Sequence, residues 1–183
     1  YLSDTNQKKR KDFAERHLRD DELWRRTIFT DEKRFCLDGP DGFKSNLIVV
    51  ENTLDSEAYV DMLKKKFFGI AKKHYGRTEF RFQQDNAPCH ASKFTKVALS
   101  KLHISVLEWP AKSPDLNIIE NVWSDLSRKT YESGVPYTDK DALTAGIKAA
   151  WTRVSQTYID DLVDGMYKRL SECIANNGLA THY

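Results

Sequence analysis

The stretch Phe82-Gln83-Gln84-Asp85-Asn86-Ala87-Pro88-Cys89-His90 limits the fold more than any other part of the chain. Residues 79–84 alternate apolar and polar side chains, with Phe80 and Phe82 on one face, which is the period of a strand. Asn86 and Pro88 break that strand. Asp85 is therefore delivered to a strand's carboxyl end, the edge where open α/β sheets gather their ligands.

Two further acids stand in comparable places. Residues 24–37 read as a strand rich in Ile, Phe and Thr, with Asp31 inside Ile28-Phe29-Thr30-Asp31-Glu32. An acid in such a run is costly to bury unless it is paired, protonated or metal-bound; for Asp31 a salt bridge with Lys33 or Arg34 stands level with a functional role. Glu120 follows the loop Trp109-Pro110-Ala111-Lys112-Ser113-Pro114-Asp115-Leu116-Asn117, and 34 residues separate it from Asp85. It falls in the first turn of a helix, where the dipole favours a carboxylate whether or not it does anything more. His90, at the mouth of the helix after Asp85, reads as a capping or loop-ordering residue ahead of a catalytic one.

The rest of the chain supplies a sheet and its covering helices. Asp4 with Gln7 opens a helix to about His17 or Leu18. Gly39-Pro40-Asp41-Gly42 is a turn, and Leu47-Ile48-Val49-Val50 a short buried strand. Asp55-Ser56 caps a helix to about His74 that buries Tyr59, Met62, Leu63, Phe67, Ile70 and Ala71, and Gly76 ends it. A helix carrying Phe94, Val97, Ala98 and Leu102 leads to a strand over residues 104–109. After the loop, a helix buries Ile118, Ile119, Val122, Trp123 and Leu126. Thr138 with Asp141 starts another, and a last one carries Ile159, Leu162, Val163, Met166, Leu170, Cys173 and Ile174. This order describes an α/β layer with a helical second half.

Composition sets outer limits. A length of 183 residues with 40% hydrophobic content gives one domain with a real core and excludes a disordered chain. Lys+Arg 29 against Asp+Glu 27 leaves a net +2, so any basic footprint has to be local. The run Lys8-Lys9-Arg10-Lys11 reads as a solvated helix face in preference to a backbone-contacting or nuclear-targeting patch. Cys36, Cys89 and Cys173 are odd in number and lack CxxC spacing, which favours a reducing compartment over disulfides or structural zinc. No apolar run reaches membrane-spanning length, so no membrane partner is expected. The sequence opens at Tyr1 without a Met, so a preceding stretch is expected.

Three converging carboxylates repel unless a proton or a divalent cation offsets them. Oxygen-only ligands select Mg²⁺ or Mn²⁺, and a pair of such ions suits in-line phosphoryl transfer. A Gly-rich phosphate loop and an H-E-x-x-H helix are both missing, which removes support for nucleotide-driven and zinc-protease functions.

Taken together, Phe29-Thr30-Asp31-Glu32, Gln84-Asp85-Asn86-x-Pro88-x-His90 and Ser113-Pro114-Asp115-Leu116-Asn117-x-x-Glu120-Asn121-x-Trp123 resemble the transposases of the mariner superfamily, in the branch with 34 residues before the final Glu. The resemblance implies an α/β fold, an RNase H-like mixed sheet flanked by helices, with residues 1–183 as a single catalytic domain. It implies cutting of double-stranded DNA at transposon ends and joining of the freed 3′-hydroxyl to target DNA. It also implies two Mg²⁺ or Mn²⁺ ions on Asp31, Asp85 and Glu120, Asn86 and His90 behind that triad, a homodimer on DNA and a nuclear location. Asp115 would shape the loop before Glu120.

Two departures accompany it. Residues 1–183 hold no counterpart of the family's N-terminal helix-turn-helix, and the interval from Asp31 to Asp85 is short, with an expected join at Lys44-Ser45. A missing central strand would leave backbone groups unpaired, and Leu47-Ile48-Val49-Val50 is expected to fold back on Phe35-Cys36-Leu37 as a hairpin in a rearranged sheet. The alternative function is an inactive or co-opted remnant that binds DNA or a protein partner.

Overall fold

The computed structural model describes residues 2–31, 54–76 and 79–183. At its centre is a parallel sheet in the order β1-β2-β3, formed by Thr27–Phe29, Arg81–Gln83 and Ser105–Val106. Ile28 lies opposite Phe82, and Phe82 opposite Val106. The side-chain alternation splits the strands between two helical layers. Phe82, with Ile28 packed beside it, faces one layer, and Phe29 faces the other.

The first layer contains α3 (Ser56–Met62), a π-helical segment (Leu63–Phe67), α4 (Phe68–Tyr75) and α6 (Lys93–Lys101). Tyr59, Leu63, Phe67, Phe68 and Leu99 close over Phe82 there. The second layer contains α1 (Asp4–His17), α7 (Ile119–Thr130) and α10 (Met166–Ala175), with the short α2 (Asp21–Arg25) beside them. Its core joins Phe13, Trp24, Phe29, Trp109, Trp123 and Leu170. The four-residue α5 (Pro88–Ala91) links β2 to α6, and α8 (Lys140–Thr152) and α9 (Gln156–Asp164) pack a satellite core on Val122 and Leu126 of α7.

Several local expectations need correction. Trp24 belongs to α2, capped by the Asp20 side chain on Leu23 N–H, so the first strand begins at Thr27. The last helix is two, α9 and α10, meeting at Gly165. Ser3 and Asp139 cap α1 and α8, one residue away from Asp4 and Thr138. The basic run of α1 is not wholly solvated, since Arg10 is fully buried. The long helix from Ser56 contains the π turn because Tyr59, Leu63, Phe67 and Ala71 recur every four residues, a spacing that drifts off one face of a 3.6-residue helix. The mixed character of the sheet, the Lys33 or Arg34 partner for Asp31, the Gly39-Pro40-Asp41-Gly42 turn, the Lys44-Ser45 join, the Leu47-Ile48-Val49-Val50 hairpin and the Ile70 side chain lie outside the described residues.

Candidate active site

The register of β1 on β2 decides where the first two acids emerge. Phe29 pairs with Gln83, so Asp31 and Asp85, each two residues further on, leave neighbouring parallel strands at the same edge. The third acid is brought there by a knot of hydrogen bonds centred on Gln83, which is fully buried. Thr30 N–H donates to Gln83 Oε1 at 3.0 Å, and Thr30 Oγ1 donates to the Gln83 carbonyl at 2.6 Å. Asn117 Nδ2 donates to the same Oε1 at 3.3 Å and to the Thr30 carbonyl at 3.4 Å. Asn117 then accepts from Ile119 N–H on its side chain and from Glu120 N–H on its carbonyl, both at 3.2 Å. One glutamine thus ties together the segments bearing Asp31, Asp85 and Glu120.

Asp85 is half-exposed, and its Oδ1 accepts from His90 Nδ1 at 2.6 Å and from Ala87 N–H at 2.8 Å. An ionised carboxylate only accepts, so the imidazole Nδ1 carries the proton here. The His90 hydrogen bond, helped by the Ala87 N–H and the His90 charge, holds the Asp85 carboxyl below its usual range against the opposing effect of burial. Among the described residues Oδ2 of Asp85 takes no hydrogen bond and is open to a further ligand.

His90 itself is buried, with its ring centroid 4.3 Å from that of Tyr59. Tyr59 Oη donates to Gln84 Oε1 at 2.9 Å, and Gln84 Nε2 donates to the His90 carbonyl at 3.3 Å. These contacts lock the ring against Asp85. Asn86 Nδ2 donates to the Trp109 carbonyl at 3.0 Å, bracing the loop after β2 against the chain leaving β3.

The carboxylate of Asp115 is already committed. Arg10 grips it with Nη1 at 2.7 Å and Nη2 at 2.6 Å, and Thr181 donates to Oδ2 from its N–H at 2.8 Å and its hydroxyl at 3.1 Å. Arg169 adds a bond from Nη1 to the Asp115 carbonyl at 2.6 Å and one from Nη2 to Asn121 Oδ1 at 2.8 Å. Asp115 therefore shapes the loop, and Arg10 and Arg169 hold both that loop and the turn carrying Glu120.

The donor chemistry of Asp31, Asp85 and Glu120 fits a hard divalent cation, being all carboxylate with at least one oxygen open. Among the described residues, however, no three His, Cys, Asp or Glu side chains are drawn together as a closed metal cluster. The three acids share an edge without being closed on one another.

Sequence reasoning did not assign roles to Gln83, Thr30 and Asn117. A signal was present: Gln83 occupies an interior position of a strand, where a polar side chain requires partners. Arg10 and Arg169 carried no comparable signal, because their partners lie 105 and 54 positions away in the chain.

A sheet covered on both faces by helices, with acids from two parallel strands and a helix start at one edge, is an RNase H-like domain. The chain belongs to the DDE superfamily of endonucleases, as a catalytic domain of mariner-superfamily transposases, and the DDE superfamily endonuclease profile matches residues 41–144. It is 32% identical to the Tc3 transposase of Caenorhabditis elegans, over 100% of this chain and 65% of that protein. It is 28% identical to the Tc1 transposase of the same organism, over 100% of this chain and 80% of that protein. The chain thus spans just under two thirds of the Tc3 relative. That alignment runs over 216 positions and includes all 183 residues, so at least 33 positions face no residue here (216 less 183). In fold it is similar to the Mos1 transposase catalytic domain with raltegravir and Mn, at a TM-score of 0.77 and 17% identity, over 100% of this chain and 99% of that one. The Mos1 paired-end complex with Mn aligns at a TM-score of 0.71 and 15% identity, over 97% of this chain and 64% of that one.

Proposed function

We propose that this domain cleaves DNA at transposon ends and transfers the freed 3′-hydroxyl to target DNA, with Asp31, Asp85 and Glu120 holding two Mg²⁺ or Mn²⁺ ions. The observation that carries this reading is the Gln83 knot, which ties the three acid-bearing segments to one edge. Bound divalent ions there would activate the attacking oxygen and offset charge on the leaving one. The protein's own part is to keep Asp85 ionised through His90, to take up only its Oδ1 in hydrogen bonds, and to fix Glu120 through Asn117. His90 and Asn86 act behind the triad as ordering residues. The solved Mos1 relatives bound to Mg, Mn or transposon ends support double-stranded DNA and a divalent metal as this domain's partners. A dimer on DNA and a nuclear location belong to the same reading. Among the described residues no helix is long and apolar enough to cross a membrane.

One observation favours a second reading, that of an inactive remnant: the 33 or more positions by which the Tc3 alignment exceeds this chain. Thermal unfolding with and without Mn²⁺ separates the two. Metal that binds only the folded state stabilises it by about 2.7 kcal/mol at a hundredfold excess over Kd. A rise in Tm with Mn²⁺ that Asp85→Asn abolishes, together with metal-dependent nicking of a transposon-end duplex, supports the enzyme. A cooperative transition indifferent to Mn²⁺ supports the remnant.

A further inference from the structure

The chain's net positive charge is concentrated on one outer layer. Helix α3, the π segment and α4 carry Lys64, Lys65, Lys66, Lys72 and Lys73 against Glu57 and Asp61, while α6 carries Lys93, Lys96 and Lys101 and no acid. These two stretches therefore hold a net +6 in a protein whose total is +2, leaving −4 for everything else. All eight lysines are exposed. Among the described residues only Lys65 is in an ion pair, with Asp61, while Lys72 donates to the Leu102 carbonyl.

The backbone is built to display them. The π turn keeps Leu63 and Phe67 buried while the three residues between them, Lys64 to Lys66, all reach solvent. On α6, Thr95 and Leu99 face inward, so Lys93, Lys96 and Lys101 share the outer surface with the exposed Phe94 and Val97. Packing of α3 on α6 sets the two stretches in one layer, and Lys72 of α4, donating to the Leu102 carbonyl at the end of α6, links the two lysine rows. That surface begins at the acid-bearing edge, because Tyr59 of α3 touches His90 and α6 starts three residues after His90. From Lys93 to Lys101 it runs about 12 Å at 1.5 Å per residue, the axial rise of roughly three to four phosphates on one DNA strand.

We propose that this lysine face is a docking surface for the phosphate backbone of duplex DNA, guiding the duplex away from the acid-bearing edge without reading its sequence. The proposal rests on the DNA-processing reading above but does not require the triad to bind metal. Charge complementarity selects the occupant: a row of exposed ammonium groups, six of the eight without an ion pair or hydrogen bond among the described residues, matches a line of phosphates, and no base-reading side chain is involved.

The test measures the affinity of the full chain for a 40-base-pair duplex of arbitrary sequence, in EDTA, across a salt series. One variant replaces Lys64, Lys66, Lys93 and Lys96 with Gln. A charge-matched control replaces the exposed Lys8, Lys9, Lys148 and Lys168 with Gln. Each lost phosphate contact lowers the slope of log K against log salt by about 0.9, so the face variant loses roughly two to four units of slope while the control stays within one of the parent. Because EDTA removes divalent ions, the measurement separates this surface from the metal reading. Equal losses in the face variant and the control would reduce the effect to overall charge and overturn the proposal. So would an unchanged slope in the face variant, or a loss seen with single-stranded RNA but not with duplex DNA.

Discussion

Arg10 of the first helix and Asp115, 105 positions away, form a two-pronged ion pair at 2.7 and 2.6 Å in which the arginine is completely buried. The same guanidinium donates to the carbonyls of Gly178 at 2.8 Å, Lys112 at 3.3 Å and Leu179 at 3.2 Å. The beginning of the described chain, its last residues and the loop before Glu120 are therefore joined through one side chain. Replacing Arg10 with Met leaves the Asp115 carboxylate with only Thr181 and three carbonyls without their donor. Removing one partner of a buried pair costs about 3–5 kcal/mol. Urea unfolding should show a loss of that size, and Arg10→Lys should recover only a minor part, because an ammonium cannot reproduce the planar fork. A midpoint unchanged in Arg10→Met would show that the pair is not holding the fold.

The pair also gives the protein an acid limit. Burial, the largest single influence on Asp115, pushes its carboxyl up, but the Arg10 hydrogen bonds and charge and the Thr181 N–H outweigh it, so the folded value lies below the ordinary one. The unfolded chain then takes up the proton more readily on acidification. The stabilisation is complete above the ordinary carboxylate value of about 3.9 and is lost as pH falls through the depressed folded value. Asp85 shifts in the same direction and adds to the trend. Denaturant midpoints measured from about pH 6 downward should fall less steeply in Asp115→Asn than in the parent. A parallel fall in both proteins would remove Asp115 from the acid response.

The Gln83 knot makes a separate prediction. Asn117→Ala removes the donor to Gln83 Oε1 and to the Thr30 carbonyl, and the acceptor for Ile119 N–H. Stranding buried polar groups costs about 1–3 kcal/mol each, so a clear drop in Tm is expected. The more specific outcome concerns Mn²⁺. If Asn117 aims Glu120 at the acid edge, the Mn²⁺-induced rise in Tm shrinks in Asn117→Ala, whereas it survives in Arg25→Gln, which removes the exposed pair with Asp164 on the far helix. Equal Mn²⁺ responses in both variants would sink the positioning role.

How far these features could be read from the sequence depended on how local their causes are. The helix from Ser56 and the helix after the Pro110–Leu116 loop were legible from apolar spacing and caps, as was the delivery of Asp85 to a strand end, because each is decided within a dozen residues. Arg10 was misplaced on a solvated face because its neighbours Lys8 and Lys9 are exposed and nothing nearby reveals a carboxylate 105 positions on. The break at Gly165 was hidden because the apolar rows of α9 and α10 continue across it with helical spacing. The lysine face was invisible for a further reason: its two rows come from stretches about 20 to 30 residues apart, and only tertiary packing, with Lys72 reaching the Leu102 carbonyl, brings them together.

Glycine substitutions offer a test of how tightly the chain's last residues are bound to α1. Gly178 has φ +82°, and a Cβ there would stand 1.9 Å from the backbone carbonyl oxygen of Gln7. The left-handed backbone alone penalises Ala by roughly 1–2 kcal/mol, but the contact is with helix backbone that cannot yield, so Gly178→Ala should cost clearly more. Gly134 is the matched comparison: its φ is +66° and a Cβ meets nothing within 4 Å, so Gly134→Ala should show the conformational penalty alone. Gly69, inside α4 with equally open space, should instead be stabilised by Ala, by up to about 1 kcal/mol. Because the Gly178 carbonyl is also the acceptor for Arg10 Nε, Gly178→Ala and Arg10→Met disrupt one shared junction. Their effects on unfolding free energy should therefore fall short of additivity by at least about 0.5 kcal/mol. Strict additivity would mean that the chain's last residues and the Arg10–Asp115 pair are held independently.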